Sequence, residues 1–449
     1  MKKIEPKILK GTRDFMPLDM AKRNLVMNKI RRIFEKFGYD QIETPIICPA
    51  ETILGKYGDE GNRLTYNFDD AGGRRIALPF DLTVPFARYY ASNWQNLPKP
   101  FKRYQIQRVW RAEKPQKGRL REFYQCDIDT IGTSNLIADT ETVKVIIEVL
   151  KELNFDFKVK VNSRRLINEI LAGFGVPEEK FISVITAIDK LEKIGEEGVL
   201  KELSEIQNSK KILQTLKPKE TNKKTLESLS KYNLSEIKEF LSNCKALGIE
   251  DKYIEFDPCL ARGLDYYTGM VFEGVSKNSD FGTLCGGGRY DNLCGMFCDE
   301  KFSGVGVAFG FERIILLLEK MGEFKNVRLN SKALITIFEN KDDSLRIYSQ
   351  LTASGINCEV YPEPDTIGKQ LKFADKKGIP FVIIRGSDEI ENNQVTIKFM
   401  ESGKQKTIPF NQLSTYLTNY YENQGRDTEE RAVDAAKPQD PIVTCWRYS

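Results

Sequence analysis

Residues 19–37, DMAKRNLVMNKIRRIFEKF, carry Leu25, Val26, Ile30, Ile33, Phe34 and Phe37 at helical spacing, with Asp19 as a cap and Gly38 as the stop. YDQIETPII reads as a strand interrupted by Pro45, and a proline confines such a strand to an edge or an interface. Residues 103–131 read as two strands joined by the charged loop EKPQKGR, with Arg111 and Glu113 at the end of the first. In the second, the odd positions are Arg119, Arg121, Phe123, Gln125, Asp127 and Asp129. Its even positions include Leu120, Tyr124, Cys126 and Ile128. A strand sends the two sets to opposite faces, so one face suits a core and the other the floor of a ligand site. A solvated sheet face is the plainer alternative, but it would favour Lys, Thr and Glu over this mixture.

Residues 135–153 are again helical in pattern. From about 163 to 252 the texture changes to charged, Leu/Ile/Lys/Glu-rich helical segments, with a soluble stretch, KPKETNKKT, at 217–225. This reads as a helical insertion. Strand patterns return at 266–275 and 303–309, followed by the helix FERIILLLEK with Arg313 in its first turn. After Asn330 the sequence alternates ALITIF, DDSLRIYSQLTASG, CEVYP, TIGKQLKFADKKG and PFVIIRG. That alternation predicts a separate βαβαβ domain with at least partly parallel strands, whose sheet two further strands at 394–400 and 405–410 complete. From Gly425 onward the chain is polar and unpatterned and is expected to be a disordered tail.

At 449 residues the chain exceeds a single ordinary core. No apolar run reaches membrane-spanning length, and MKKIEPKILKG has no apolar region behind its lysines, so a cytoplasmic location is expected. The nine cysteines form no CxxC, and there is no histidine to complete a mixed zinc site. A net charge of +4 leaves any nucleic-acid contact to local patches.

The absence of histidine also removes chemistry. No Ser-His or Cys-His nucleophile and no imidazole base is possible. An enzyme of this composition works by positioning, by charge stabilisation, by carboxylates or through the substrate's own groups. Three arginines, Arg111, Arg262 and Arg313, sit beside strand ends or a helix start, and guanidinium groups suit phosphate oxygens. No GxxxxGK[ST] loop occurs, and TLCGGGRYDNL does not fit a dinucleotide-binding turn. In RGLDYYTG, Arg262 precedes Tyr266 and Tyr267 by four and five positions. Such a stretch suits a flat, polar ligand, with strand packing as the alternative for at least one of the two rings.

RAEKPQKGRLREFYQ and GVGVAFGFERI resemble motifs 2 and 3 of class II aminoacyl-tRNA synthetases, and the segment around FGYDQIETP resembles motif 1, a dimer-forming element. LARGLDYYTG and GGGRYDNL are similar to signatures of the histidyl-tRNA synthetase family in particular, and the likeness runs from GTRDFMP at 11–17 to about residue 424. The resemblance implies an α+β catalytic domain with an antiparallel sheet over 1–162 and 253–328, and a helical insertion over 163–252. It implies an α/β anticodon-binding domain over 331–424, where Lys369, Lys372, Lys376 and Lys377 either face RNA or form a solvated helix face.

The implied activity is ATP-dependent activation of L-histidine and its transfer to tRNA-His, with Mg²⁺, in a homodimer. Arg111 would hold the ATP α-phosphate and the attacking carboxylate, Glu113 would contact adenine, and Phe123 would stack on it. Arg119 and Arg313 would grip the outer phosphates. Asp81, Leu82 and Thr83, with Gln125 and Asp129, would hold the ammonium end of the amino acid. Arg262 would lie by the α-phosphate and stabilise its developing charge. Tyr266, Tyr267 and Tyr290 would line the imidazole pocket. No resident metal ligand is implied.

The sequence departs from the family pattern at Pro79, where many relatives carry arginine, and at Tyr124, where many bacterial relatives carry histidine. Both departures spare the arginines. A non-catalytic, histidine-binding regulatory paralogue is the alternative, but such proteins lose the catalytic arginines or the C-terminal domain, and both are present here. A usual histidine frequency of roughly 2% would place about ten in this length. A synthetase without histidine could be translated during histidine starvation, with compositional drift or engineering as the bland explanations.

Overall fold

The computed structural model describes residues 3–55, 58–116, 118–261, 266–277, 282–338 and 341–420, so Arg262 and the 425–449 tail lie outside the described residues. The chain divides into two units, Met1–Lys325 and Asn326–Ser449.

The first unit is organised by a sheet of eight described strands. Their order is Asp40–Gln41, Phe101–Trp110, Glu122–Ile131, Gly304–Gly310, Thr283–Tyr290, Met270–Ser276, Phe157–Ser163, Ile254–Phe256. The central six pair antiparallel, and the short outer strands pair parallel, so the sheet is antiparallel at heart and mixed at its edges. The expected YDQIETPII strand shrinks to Asp40–Gln41 at one edge, and Cys48–Pro49 beyond Pro45 joins a separate three-stranded sheet.

The strand Glu122–Ile131 alternates as its sequence requires. Cys126 and Ile128 share rows with Ile106, Phe309 and Tyr104, and Phe34 of the helix Pro17–Lys36 packs 5.8 Å from Tyr104 and 5.7 Å from Phe309. The helix begins at Pro17, and Asp19 lies in its first turn, where the carboxylate accepts the Met16 N–H at 3.1 Å. The helix Leu136–Glu152 covers the same face, because Ile146 and Leu150 approach Gly274. Gln125, Asp127 and Asp129 therefore occupy the opposite face.

Two elements differ from the sequence expectation. The strand expected over 266–275 starts at Met270, which leaves Tyr266 and Tyr267 in the preceding turn. Thr283–Tyr290 is a strand in the middle of the sheet, disguised in sequence by three consecutive glycines. A Cβ at Gly287 would lie 1.9 Å from the Gly306 carbonyl oxygen, so the close approach of the two backbones demands the glycine.

The charged stretch 163–252 is helical from Arg164–Gly173 through Ser235–Ala246. The soluble KPKETNKKT segment enters the helix Asn222–Ser228, capped by Thr221. Asn222 binds the edge strand at both ends, donating to the Ile254 carbonyl at 3.1 Å and accepting the Phe256 N–H at 2.9 Å.

The second unit holds a five-stranded sheet in the order Cys358–Val360, Ala333–Ile335, Phe381–Ile384, Gln394–Phe399, Gln405–Pro409. The first three strands are parallel and the last three antiparallel. Ala333 and Ile335 bury against one apolar layer with Leu351, while Leu334 buries against another with Ala374. Covering both faces explains why its parallel strands read as continuous apolar runs. On the helix Ile367–Lys377, Lys369 pairs with Asp365 at 3.0 Å and Lys377 with Glu359 at 2.6 Å, whereas Lys372 and Lys376 are exposed. Among the described residues, no helix of either unit is long and apolar enough to cross a membrane.

Candidate active site

The polar face of Glu122–Ile131 floors a cleft of about 1300 Å³. Glycines in neighbouring strands make room for it. Asp129 shares its cross-strand row with Arg103 on one side and with Gly306, then Gly288, on the other. A Cβ at Gly306 would sit 2.0 Å from Asp129 Oδ1, and one at Gly288 would sit 2.9 Å from the Tyr267 ring.

Asp129 anchors the closed end. Its Oδ2 lies 2.5 Å from Arg103, and its Oδ1 accepts the Tyr290 hydroxyl at 2.8 Å. Burial pushes the carboxyl up to about 6, against the opposing pull of Arg103 and Tyr290. Burial likewise drives the Tyr290 phenol well above its ordinary value. The Arg103 guanidinium lies 4.4 Å over the Phe86 ring and donates to the Leu82 carbonyl at 3.4 Å. Tyr266 stands between the other two tyrosines, 4.8 Å from Tyr267 and 6.3 Å from Tyr290 by ring centroids, with the Tyr290 ring at 83°. Tyr267 is itself buried among Leu260 and Val271, so it packs as well as lining the cleft.

The helix Thr83–Asn93 starts at the cleft rim. Asp81 Oδ1 accepts the Thr83 and Val84 N–H groups, each at 3.1 Å, which satisfies two orphan donors of the first turn. Asp81 and Thr83 line the cleft, while Leu82 is buried, its carbonyl serving Arg103. Gln125 and Asp127 complete the floor. Desolvation raises the Asp127 carboxyl well above the usual carboxylate range, with Arg103 opposing the shift.

The open end collects the cations and the aromatic expected for a nucleotide. Arg111 donates from Nε to the Phe80 carbonyl at 3.0 Å and lies 4.3 Å over the Phe80 ring and 5.2 Å from the Phe123 ring. The chain beyond it carries Glu113 and Arg119, which pair with each other at 3.6 Å. Arg313 donates from Nη1 to the Thr283 carbonyl at 2.8 Å. Behind it, Glu312 is buried in a double hydrogen bond with Arg23, both contacts 2.7 Å, which fixes the start of the helix Phe311–Met321. Arg111, Glu113, Arg119, Phe123 and Arg313 thus share one cleft with the tyrosines and carboxylates. Among the described residues, no group of three or more Cys, Asp or Glu side chains is placed to hold a metal ion.

Sequence reasoning missed Arg103 as a site element and used Asp127 only as part of a polar face. Arg103 had no local signal, because its pairing with Asp129 depends on strand register. The alternation did carry the signal for Asp127.

Comparison with known proteins follows this geometry. The profile of "Histidyl-tRNA synthetase" matches residues 11–314, and that of "Anticodon binding domain" matches residues 331–420. Histidine--tRNA ligase of Christiangramia forsetii is 39% identical over 453 residues, covering 92% of this chain and 99% of that protein. Histidine--tRNA ligase of Phocaeicola vulgatus is 38% identical, covering 90% and 97%. The crystal structure of histidyl-tRNA synthetase from Nostoc sp. PCC 7120 superposes with a TM-score of 0.81 at 30% identity, covering 93% of this chain and all of that one. With likeness at this level running through both the cleft-bearing unit and the C-terminal unit, the chain belongs to the histidyl-tRNA synthetase family.

Proposed function

We propose that the chain activates L-histidine with ATP to histidyl-adenylate and transfers the histidyl group to the 3' end of tRNA-His. The observation that carries this reading is the polarity of a single cleft. One end offers rings and buried carboxylates, and the other offers Arg111, Arg119 and Arg313 beside Phe123. A zwitterionic amino acid with a flat polar side chain fits the first, and a purine nucleotide fits the second.

The substrate carboxylate attacks the α-phosphorus in line, and pyrophosphate leaves. The nucleophile is already ionised, so a protein without histidine loses nothing for lack of an imidazole base. Arg111 holds the reacting carboxylate and α-phosphate, and Arg119 and Arg313 take the outer phosphates. Glu113 and Phe123 take the adenine. Asp81, Leu82, Thr83, Gln125 and Asp129 form the ammonium end, and Tyr266, Tyr267 and Tyr290 form the imidazole pocket. Arg262 supplies a further positive charge at the α-phosphate. Mg²⁺ would come with the ATP phosphates, which supply its oxygen ligands together with water. The ribose hydroxyl of tRNA-His then attacks the adenylate carbonyl.

Residues 331–424 serve as the anticodon-binding domain, with Lys372 and Lys376 free to face RNA, and residues 163–252 as a helical insertion in the catalytic domain. The working form is a cytoplasmic homodimer. Exposed Ile46 and Ile47, next to the edge strand Asp40–Gln41, support an interface there.

Histidine-dependent ATP–pyrophosphate exchange, with the other amino acids as controls, tests the reading. Exchange with histidine alone is expected. Histidine binding without exchange would instead mark a regulatory relative.

A further inference from the structure

The segment GTRDFMP at 11–17 opens the likeness to the family, yet none of its residues lines the cleft. It reaches the nucleotide end from behind. The Gly11 carbonyl accepts the Arg121 N–H at 2.8 Å, and the Arg121 carbonyl accepts the Arg111 N–H at 2.9 Å. Gly11 has φ +93°, and a Cβ there would lie 2.7 Å from the Pro115 ring, so only glycine fits against this loop. Farther along, Arg13 Nη2 donates to Glu312 Oε2 at 3.4 Å, and the Phe15 ring lies 4.0 Å from the Arg23 guanidinium.

Arg23 is only 1% exposed and is walled by Phe15, by Phe311 at 4.8 Å and by Tyr124 at 5.5 Å. Its fork donates to both oxygens of Glu312 at 2.7 Å. Glu312 Oε1 also accepts the Tyr124 N–H at 3.4 Å. That N–H belongs to the peptide following Phe123, and Glu312 immediately precedes Arg313. One buried carboxylate therefore ties the strand that carries the cleft's open-end aromatic to the helix that carries an open-end arginine. Stability does not require such a pair, because desolvating two charges offsets their attraction and an apolar pair of similar size serves a core as well. What the fork adds is direction, since bidentate contact leaves the carboxylate a single orientation.

We propose that Arg23, backed by Arg13 and Phe15, is a positioning residue for nucleotide binding. Through Glu312 it fixes the separation of Phe123 from Arg313, and with it the span over which a purine ring and the outer phosphates are held together. Arg23 itself touches no substrate. The assignment rests on the nucleotide reading of the cleft's open end given above.

Calorimetric titration of the full chain with ATP and, separately, with L-histidine tests this in two variants. Arg23→Lys keeps a cation against Glu312 but loses the fork. The double variant Arg23→Met with Glu312→Met leaves no unpaired charge, and its Tm should stay within about 4 °C of the unaltered chain. Both variants are expected to weaken ATP by about five- to tenfold, the cost of ordering one or two side chains on binding. Histidine affinity should stay within about twofold, a change too small to report a lost contact. A folded variant that bound ATP as the unaltered chain does would overturn the assignment and reduce the pair to core filling. Equal losses for ATP and histidine would also overturn it, because they would report a distorted sheet. If the double variant did not fold, Arg23→Lys would decide alone. An unaltered chain that bound no ATP would instead refute the nucleotide reading of the cleft.

Discussion

The Tyr290 hydroxyl donates a 2.8 Å hydrogen bond to Asp129 Oδ1, and both side chains are almost wholly buried. The second oxygen of the same carboxylate holds Arg103 at 2.5 Å. A neutral donor and a cation thus share one anion, and the ring against which Tyr266 stands is fixed from below. A pocket for a flat ligand needs such a rigid wall, because a wall that tilts cannot favour one ring over another.

Replacing Tyr290 with phenylalanine removes the donor and keeps the ring. Leaving Asp129 one hydrogen bond short costs about 1–3 kcal/mol. Pyrophosphate exchange should show the KM for histidine raised about tenfold, with the KM for ATP unchanged. A variant whose two KM values moved together would contradict the separation of the cleft into two ends.

Asp129 also predicts a pH dependence of stability. Its carboxyl is held at about 6 in the fold, above its ordinary value of 3.8. Between these values the folded chain binds the proton and the unfolded chain releases it. The contribution of Asp129 is therefore fully present below about pH 4 and is lost as pH rises through about 6. Denaturation midpoints measured from pH 4 to 7 should fall more steeply in the unaltered chain than in Asp129→Asn. Parallel slopes would remove Asp129 as the source.

Gly306 has no room for a methyl group. Its Cβ would lie 2.0 Å from Asp129 Oδ1 and 2.6 Å from the Ile128 carbonyl oxygen. Gly306→Ala should break the Arg103–Asp129–Tyr290 arrangement and lower kcat/KM for histidine at least about a hundredfold, comparable to losing a key polar contact. Circular dichroism should show the sheet retained. Activity near that of the unaltered chain would mean that the strands separate at little cost.

The chain contains no histidine, so its own synthesis consumes none of the product assigned to it. In a histidine-depleted translation extract its yield should match that in a complete extract, while a histidine-containing control of similar length stalls. A stall of this chain in the depleted extract would sink the idea.

Much of this was legible along the chain. The 3.6-residue spacing of Val26, Ile30, Ile33 and Phe34 dictated the first helix, and all four are buried. The alternation of Gln125, Asp127 and Asp129 with Cys126 and Ile128 assigned one polar and one apolar face before any partner strand was known. The alternation of strands and helices after Asn330 announced a second unit. Each of these is a local property, because side-chain direction follows from backbone period alone.

Other features depended on residues far apart in sequence. Thr283–Tyr290 hides its strand character behind three glycines, and only the Gly306 backbone pressed against Gly287 shows why glycine is needed. Arg103 meets Asp129 only because the two strands pair in that register. The same register set Asp127 opposite Gln105 and Ala308, neither of which offers it a donor. Periodicity decides which face a side chain occupies. Which group stands across from it, and whether a buried charge is answered from within the protein or left for a ligand, is decided by register and packing alone.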